Sequence, residues 1–143
     1  MSSATNSIPS TLSDLLVKLK ILGMVERGTK INMGTMTFTD ASSWSGAVTR
    51  SVSGEGRKGL LVNLSQIVQA SINSINEYKN TEFCHLIVNH LALAKIGIQN
   101  LQATYQSDPS TVAQMEVLVD NIELQLSKNR ELLDGHMIIR NIS

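Results

Sequence analysis

The stretch IVNHLALAKIGIQNLQATY, residues 87–105, decides the fold class. Ile87, Leu91, Ala94, Ile98, Leu101 and Tyr105 follow one another in alternating steps of four and three, which places them on one side of an α-helix. The next segment keeps that rhythm with Val112, Met115, Val119, Ile122, Leu126 and Leu133, Asn129 filling the one polar turn. The preceding segment keeps it more loosely, with Leu61, Leu64, Val68, Ser71 or Ile72, Ile75 and Tyr78. One apolar stripe per helix is what an antiparallel bundle buries. The junctions Lys79-Asn80-Thr81 and Ser107-Asp108-Pro109 are short, and loops of that length set neighbouring helices antiparallel. Asp108 as N-cap with Pro109 at the first helical position is a start signal, and Gly135 is placed to end the last helix. The long helices are expected over 57–78, 81–106 and 109–134. At ~1.5 Å per residue they span roughly 30–39 Å, an elongated bundle.

Upstream, Ser2 to Ser7 reads as a flexible arm, and Pro9 followed by Ser10 or Thr11 is a stop-and-start signal. Leu12, Leu15, Leu16, Leu19 and Leu22 then form the stripe of a short first helix ending near Gly23. Residues 29–56 are expected to be irregular, with a short extended piece around Met33 to Phe38. A cap cluster at Asp40 to Ser43 leads into a two- or three-turn helix through Trp44, Ala47 and Val48, and Ser53-Gly54-Glu55-Gly56 interrupts the pattern. The expected fold is therefore all-α, three long antiparallel helices plus a short N-terminal one. A flexible arm (1–10), one helical-bundle domain (11–134) and a docking tail (135–143) make up the chain.

Twelve basic and twelve acidic residues leave no formal net charge. Nucleic-acid binders concentrate basic charge on one face, so direct nucleic-acid binding is not expected. Aromatic residues are 3% of the chain, so the core must be aliphatic. Charged residues are 17%, below the usual quarter or so, and Ser, Asn, Thr and Gln coat the surface instead. Such a surface at zero net charge has little colloidal repulsion and tends to associate. Cys84 is the only cysteine, which excludes an intrachain disulfide and fits a reducing compartment. The first residues lack the basic and apolar blocks of a secretory signal, and no stretch reaches the ~20 apolar residues of a membrane span. A cytoplasmic protein, or a particle component assembled in the cytoplasm, is expected.

Gly54-Glu55-Gly56-Arg57-Lys58-Gly59 matches G-x-G-x-x-G and leads into a helix. Amides at a helix N-terminus beside Arg57 and Lys58 suit a phosphate or carboxylate, but the dinucleotide fingerprint needs a preceding buried strand. An ordinary connector is the simpler reading. Glu82 and His85 form the i, i+3 pair of bundle di-iron sites, yet those sites need a second such pair and two further Glu residues. Glu82 in a first turn serves the helix dipole. His90 beside the stripe reads as a hydrogen-bonded interhelical residue, and Cys84 as a small buried hydrophobe. No Ser/His/Asp grouping or carboxylate pair stands out, so neither an enzyme nor a cofactor or metal site is expected.

A second set of apolar residues lies off the stripes. Leu86, Leu93 and Ile96 lie opposite the stripe of the middle helix, and Val117 and Leu124 share an outward position seven residues apart on the last. A helix apolar on two faces is buried on two sides, and the short first helix has length to cover only part of this surface. Leu93, Ile96, Val117 and Leu124 are therefore candidate contacts with another chain, as are Met137, Ile138 and Ile139 of the tail.

Gly54-Glu55-Gly56-Arg57-Lys58, Glu77-Tyr78-Lys79-Asn80-Thr81-Glu82-Phe83, Ala94-Lys95-Ile96-Gly97-Ile98 and Thr104-Tyr105-Gln106-Ser107-Asp108-Pro109 together resemble small helical structural proteins of the nucleocytoplasmic large DNA viruses, over residues 11–130. The resemblance implies a small virion or assembly protein and assigns no functional residues. The expected function is structural, a minor virion or capsid-associated component that contacts other protein chains. An intracellular helical adaptor for one partner is the alternative, and a small anion- or nucleotide-binding module using Arg57 and Lys58 the third. Thermal melts with ATP, NAD or inorganic phosphate separate the last from the others. As a connector, the Gly54–Gly59 segment should leave the melting temperature unchanged, whereas a saturable rise abolished by Arg57→Ala would show an anion site.

Overall fold

The computed structural model describes residues 8–29 and 54–133, with the backbone alone over 54–58. Four helices make up most of it: α1 (Ser10–Gly23), α2 (Gly54–Glu77), α3 (Glu82–Thr104) and α4 (Pro109–Lys128), followed by a 3-10 turn, Arg130–Leu132. No strand occurs among the described residues, so the all-α expectation holds. The expected arm (Ser2 to Ser7), the pieces between Met33 and Val48, and Gly135 with the tail lie outside the described residues.

The helix ends follow from local chemistry. At α4, Asp108 Oδ1 accepts from the Thr111 amide at 3.3 Å while Oδ2 accepts from the Thr111 hydroxyl at 2.8 Å. Pro109 fills the first helical position, where its missing N–H costs nothing. Between α2 and α3, the Thr81 hydroxyl and amide both donate to the Tyr78 carbonyl, at 2.6 and 3.0 Å. Asn80 there adopts φ 69°, a left-handed conformation Asn tolerates better than most residues. Tyr78 and Phe83 meet edge-to-face across this turn with ring centroids 5.6 Å apart.

Two expected boundaries are corrected. α2 begins at Gly54 rather than 57, so 54–56 belong to a helix and not to the irregular segment. Gly54 and Gly56 lie in the first turn, outside the helix interior where glycine costs about 1 kcal/mol, and the helix they begin is anchored by Leu60 and Leu64, both fully buried. α4 ends at Lys128, not at 134. Asn129, expected within the helix, leaves helical geometry at φ −122°, ψ 32°, and its side-chain Nδ2 donates to the Gln125 carbonyl at 2.8 Å. An Asn side chain that takes a last-turn carbonyl competes with continuation of the helix.

α3 touches every other element, and α1 lies along it. Gln102 donates to Glu116 and Lys95 faces Glu123, while Asn89 donates to the Leu132 carbonyl; α3 and α4 therefore run in opposite senses. α1 follows α3 in the same sense. Leu22 meets Gly97, the Val25 carbonyl accepts from Asn100 at 2.9 Å, and the Gly28 amide donates to the Thr104 hydroxyl at 2.8 Å. All the α3 stripe residues are buried, as are all five leucines of α1. In α2 the core side is broader than the expected stripe. Leu60 and Ile67 are buried, while Leu61 and Ile72 sit at its edge, because α2 packs on α1, α3 and α4 together.

Among the described residues two cations are buried. Lys18 is fully buried with Nζ 3.0 Å from Asp14, one turn earlier. Lys95 is buried with Glu123 4.0 Å away, and desolvation lowers its pKa against a smaller opposing pull from that carboxylate.

The tightest packing is α1 on α3. A Cβ at Gly97 would overlap the Leu22 carbonyl, and one at Gly23 would lie 2.9 Å from Leu93 Cβ. Neither backbone can retreat without opening the core. Gly97→Ala should therefore destabilise the protein by about 3 kcal/mol, read as a lower midpoint in urea with helicity retained below it. A stability equal to that of the original protein would show that α1 does not approach α3 this closely.

Candidate interaction surface

The candidate residues separate into groups. Val117 and Leu124 are 59% and 52% exposed. They share the outward side of α4 because its core side is taken by Met115, Leu118, Val119, Ile122 and Leu126. Leu93 is half-buried at the margin of the core, packed beneath Gly23 of α1, and Ile96 is half-buried too. α1 has thus claimed part of the α3 face on which the two residues lie. The backbone of Arg57 and Lys58 is helical within α2, and Met137, Ile138 and Ile139 lie outside the described residues.

One side of the α4 strip is acidic. At about 100° per residue, Asp120 lies about 60° to one side of Val117, with Glu116 and Glu123 farther round on that side. All three are exposed. Glu116 Oε1 accepts from Gln102 at 2.7 Å, and Glu123 faces Lys95. The other side carries the uncharged Gln114, Asn121 and Gln125, with Lys128 at the end of the helix.

A second exposed apolar pair escaped the sequence reading. Val17 and Met24 of α1 are 42% and 70% exposed and also stand seven residues apart. The signal was present in their spacing, but the leucine stripe on the opposite side of α1 dominates that segment.

A hollow of about 660 Å³ opens at one end of the bundle between the α2–α3 turn and the end of α4. Lys79, Lys128, Asn80, Asn129 and Glu131 line its rim, and Cys84 its floor. Lys79 and Lys128 sit where two helices end, a position in which cations balance helix dipoles, and no histidine lines it. Cys84 is buried, its Sγ 3.9 Å from the Ile75 carbonyl. Burial pushes its pKa up, with Lys79 opposing, so at neutral pH it is a thiol and a poor nucleophile. His90 turns back to its own helix, Nδ1 2.8 Å from the Leu86 carbonyl, rather than bridging helices as expected. His85 is exposed with a ring nitrogen 3.5 Å from Asn89 Nδ2. Among the described residues no three His, Cys, Asp or Glu side chains come together as metal ligands, and no helix is long and apolar enough to cross a membrane.

Comparison with protein-family models, curated proteins and solved structures gives no match to this chain. The surface therefore has to be read from its own chemistry.

Cys84 provides a check on the packing around the hollow. Labelling by a thiol reagent at pH 8 should be slower than for a free thiol by more than about tenfold, and should become fast in denaturant. Fast labelling of the folded protein would mean that the floor of the hollow is open.

Proposed function

We propose that this is a non-enzymatic structural protein that acts through protein–protein contact, with an elongated antiparallel bundle as its scaffold and the Val117/Leu124 strip as a contact surface. The observation that carries this reading is the exposure of two large aliphatic side chains two turns apart on one helix face. Single exposed apolar residues are ordinary; an aligned pair on a charge-poor, net-neutral protein favours association. The resemblance to helical structural proteins of large DNA viruses supports placing it as a minor virion or capsid-associated component assembled in the cytoplasm. The scarcity of grouped titratable side chains among the described residues is the reason to favour contact over catalysis.

The double variant Val117→Glu/Leu124→Glu tests this. Glu is a good helix former and both sites are solvated, so the helical circular-dichroism spectrum should be retained. Self-association by light scattering, or retention of a partner in pull-down, should fall, because a carboxylate in an interface centre is desolvated without a counter-charge. Unchanged association in both assays would remove this strip from the function. Lost helicity would place Val117 and Leu124 in the core.

A further inference from the structure

Val17, Lys20 and Met24 on α1 repeat the spacing of Val117, Asp120 and Leu124 on α4 with the charge reversed. We propose that the α4 strip is covered by the α1 strip of a second copy of this chain, in a head-to-tail contact that repeats from molecule to molecule. The proposal rests on the reading of the α4 strip as a protein contact and names its occupant.

All four apolar residues are exposed. Lys20 is exposed as well and lies about 60° to the same side of Val17 as Asp120 does of Val117, since both are three residues on. When two helices pack face to face in opposite directions, a half-turn perpendicular to their axes relates them. Flanks of the same hand therefore meet. Val17 then falls on Leu124, Met24 on Val117, and Lys20 beside Asp120, with Glu116 and Glu123 extending the acidic side. The turn after α1 adds Glu26 and Arg27, which cancel; Lys18 is buried beside Asp14 and takes no part.

Pairing α4 with α4 of another copy fits less well. In the same orientation it sets Asp120 against its own copy and Glu116 toward Glu123, and like charges across an interface are repulsive. A parallel pairing sets the acidic side against Gln114 and Asn121, and its one ion pair, Glu123 with Lys128 of the other copy, would draw on a carboxylate that already faces Lys95. α1 and α4 both pack on α2 and α3 with these strips turned outward, so one molecule can offer both faces at once. A contact between two different faces of the same chain does not close on itself after two copies; it grows into a ring or filament.

Two variants with opposite defects test this, each first checked for an unchanged helical spectrum. Val17→Gln/Met24→Gln disables the α1 strip, and Val117→Gln/Leu124→Gln disables the α4 strip. Sedimentation is run at roughly 0.5 mM, since contacts well below the ~1,200 Å² of standard interfaces are weak. The original protein should form species larger than dimers, and each variant alone should remain at 15.6 kDa. An equimolar mixture of the two should give a dimer and nothing larger, because each supplies the face the other lacks. Lys20→Glu should weaken association roughly five- to tenfold, and Lys20→Glu with Asp120→Lys should restore it. Association lost in the α4 variant but kept in the α1 variant would overturn this inference while leaving the α4 strip a contact surface. A mixture that stays monomeric, or an original protein monomeric at this concentration, would also overturn it. Association unchanged in both variants would overturn this inference, and unchanged association in both assays of the Glu double variant would remove the α4 strip as well.

Discussion

The contact of the Leu22 carbonyl with Gly97 sets the position of α1, and much of the structure depends on it. Only a residue without a Cβ lets two helix backbones come this close. With α1 drawn in, Leu93 tucks under Gly23, and Asn100 and Thr104 bind the chain that follows α1. α3 is thereby enclosed by α1, α2 and α4, and carries buried small residues, Ala92 and Ala94, as well as large ones. An enclosed helix must be apolar on more than one side, which explains Leu86 and Leu93 without a partner chain.

Burial also takes in two lysines of the described residues, Lys18 of α1 and Lys95 of α3. A long aliphatic stem fills interior space as a hydrophobic side chain does, and the ammonium then needs an anion. Asp14 stands one turn from Lys18, and Glu123 reaches toward Lys95 from the neighbouring helix. The second pair is long and half exposed at its acidic end, and desolvation remains the larger influence on Lys95. Pairs of this kind add little net stability but penalise arrangements that leave either charge alone. Lys95 thus helps to fix the position of α4 on α3.

The contacts proposed for this protein lie on outer helix faces. α1 and α4 each turn one side to the core and the other to solvent, and each outer side holds two large aliphatic residues seven apart beside a charge of opposite sign. Cys84 and His90 are held by packing and backbone hydrogen bonds rather than poised for chemistry. The hollow at the bundle end is rimmed by side chains that also serve helix ends.

The sequence by itself determined the helical class, the stripes of α1 and α3, the start of α4 at Asp108–Pro109 and the outward placement of Val117 and Leu124. These depend on period and capping, which act within a few residues. Tertiary structure decided the rest. That Gly97 is a contact point, that Lys18 and Lys95 are buried, and that Leu60 and Ile67 join the core are consequences of which helices meet, which no local pattern encodes. The end of α4 at Asn129 lies between the two. The Asn was visible, but its apolar register ran on to Leu133, and only the folded chain shows its side chain taking the Gln125 carbonyl. The α1 strip was hidden for the same reason. Val17 and Met24 are unremarkable in a leucine-rich helix until packing fixes which side of it is covered.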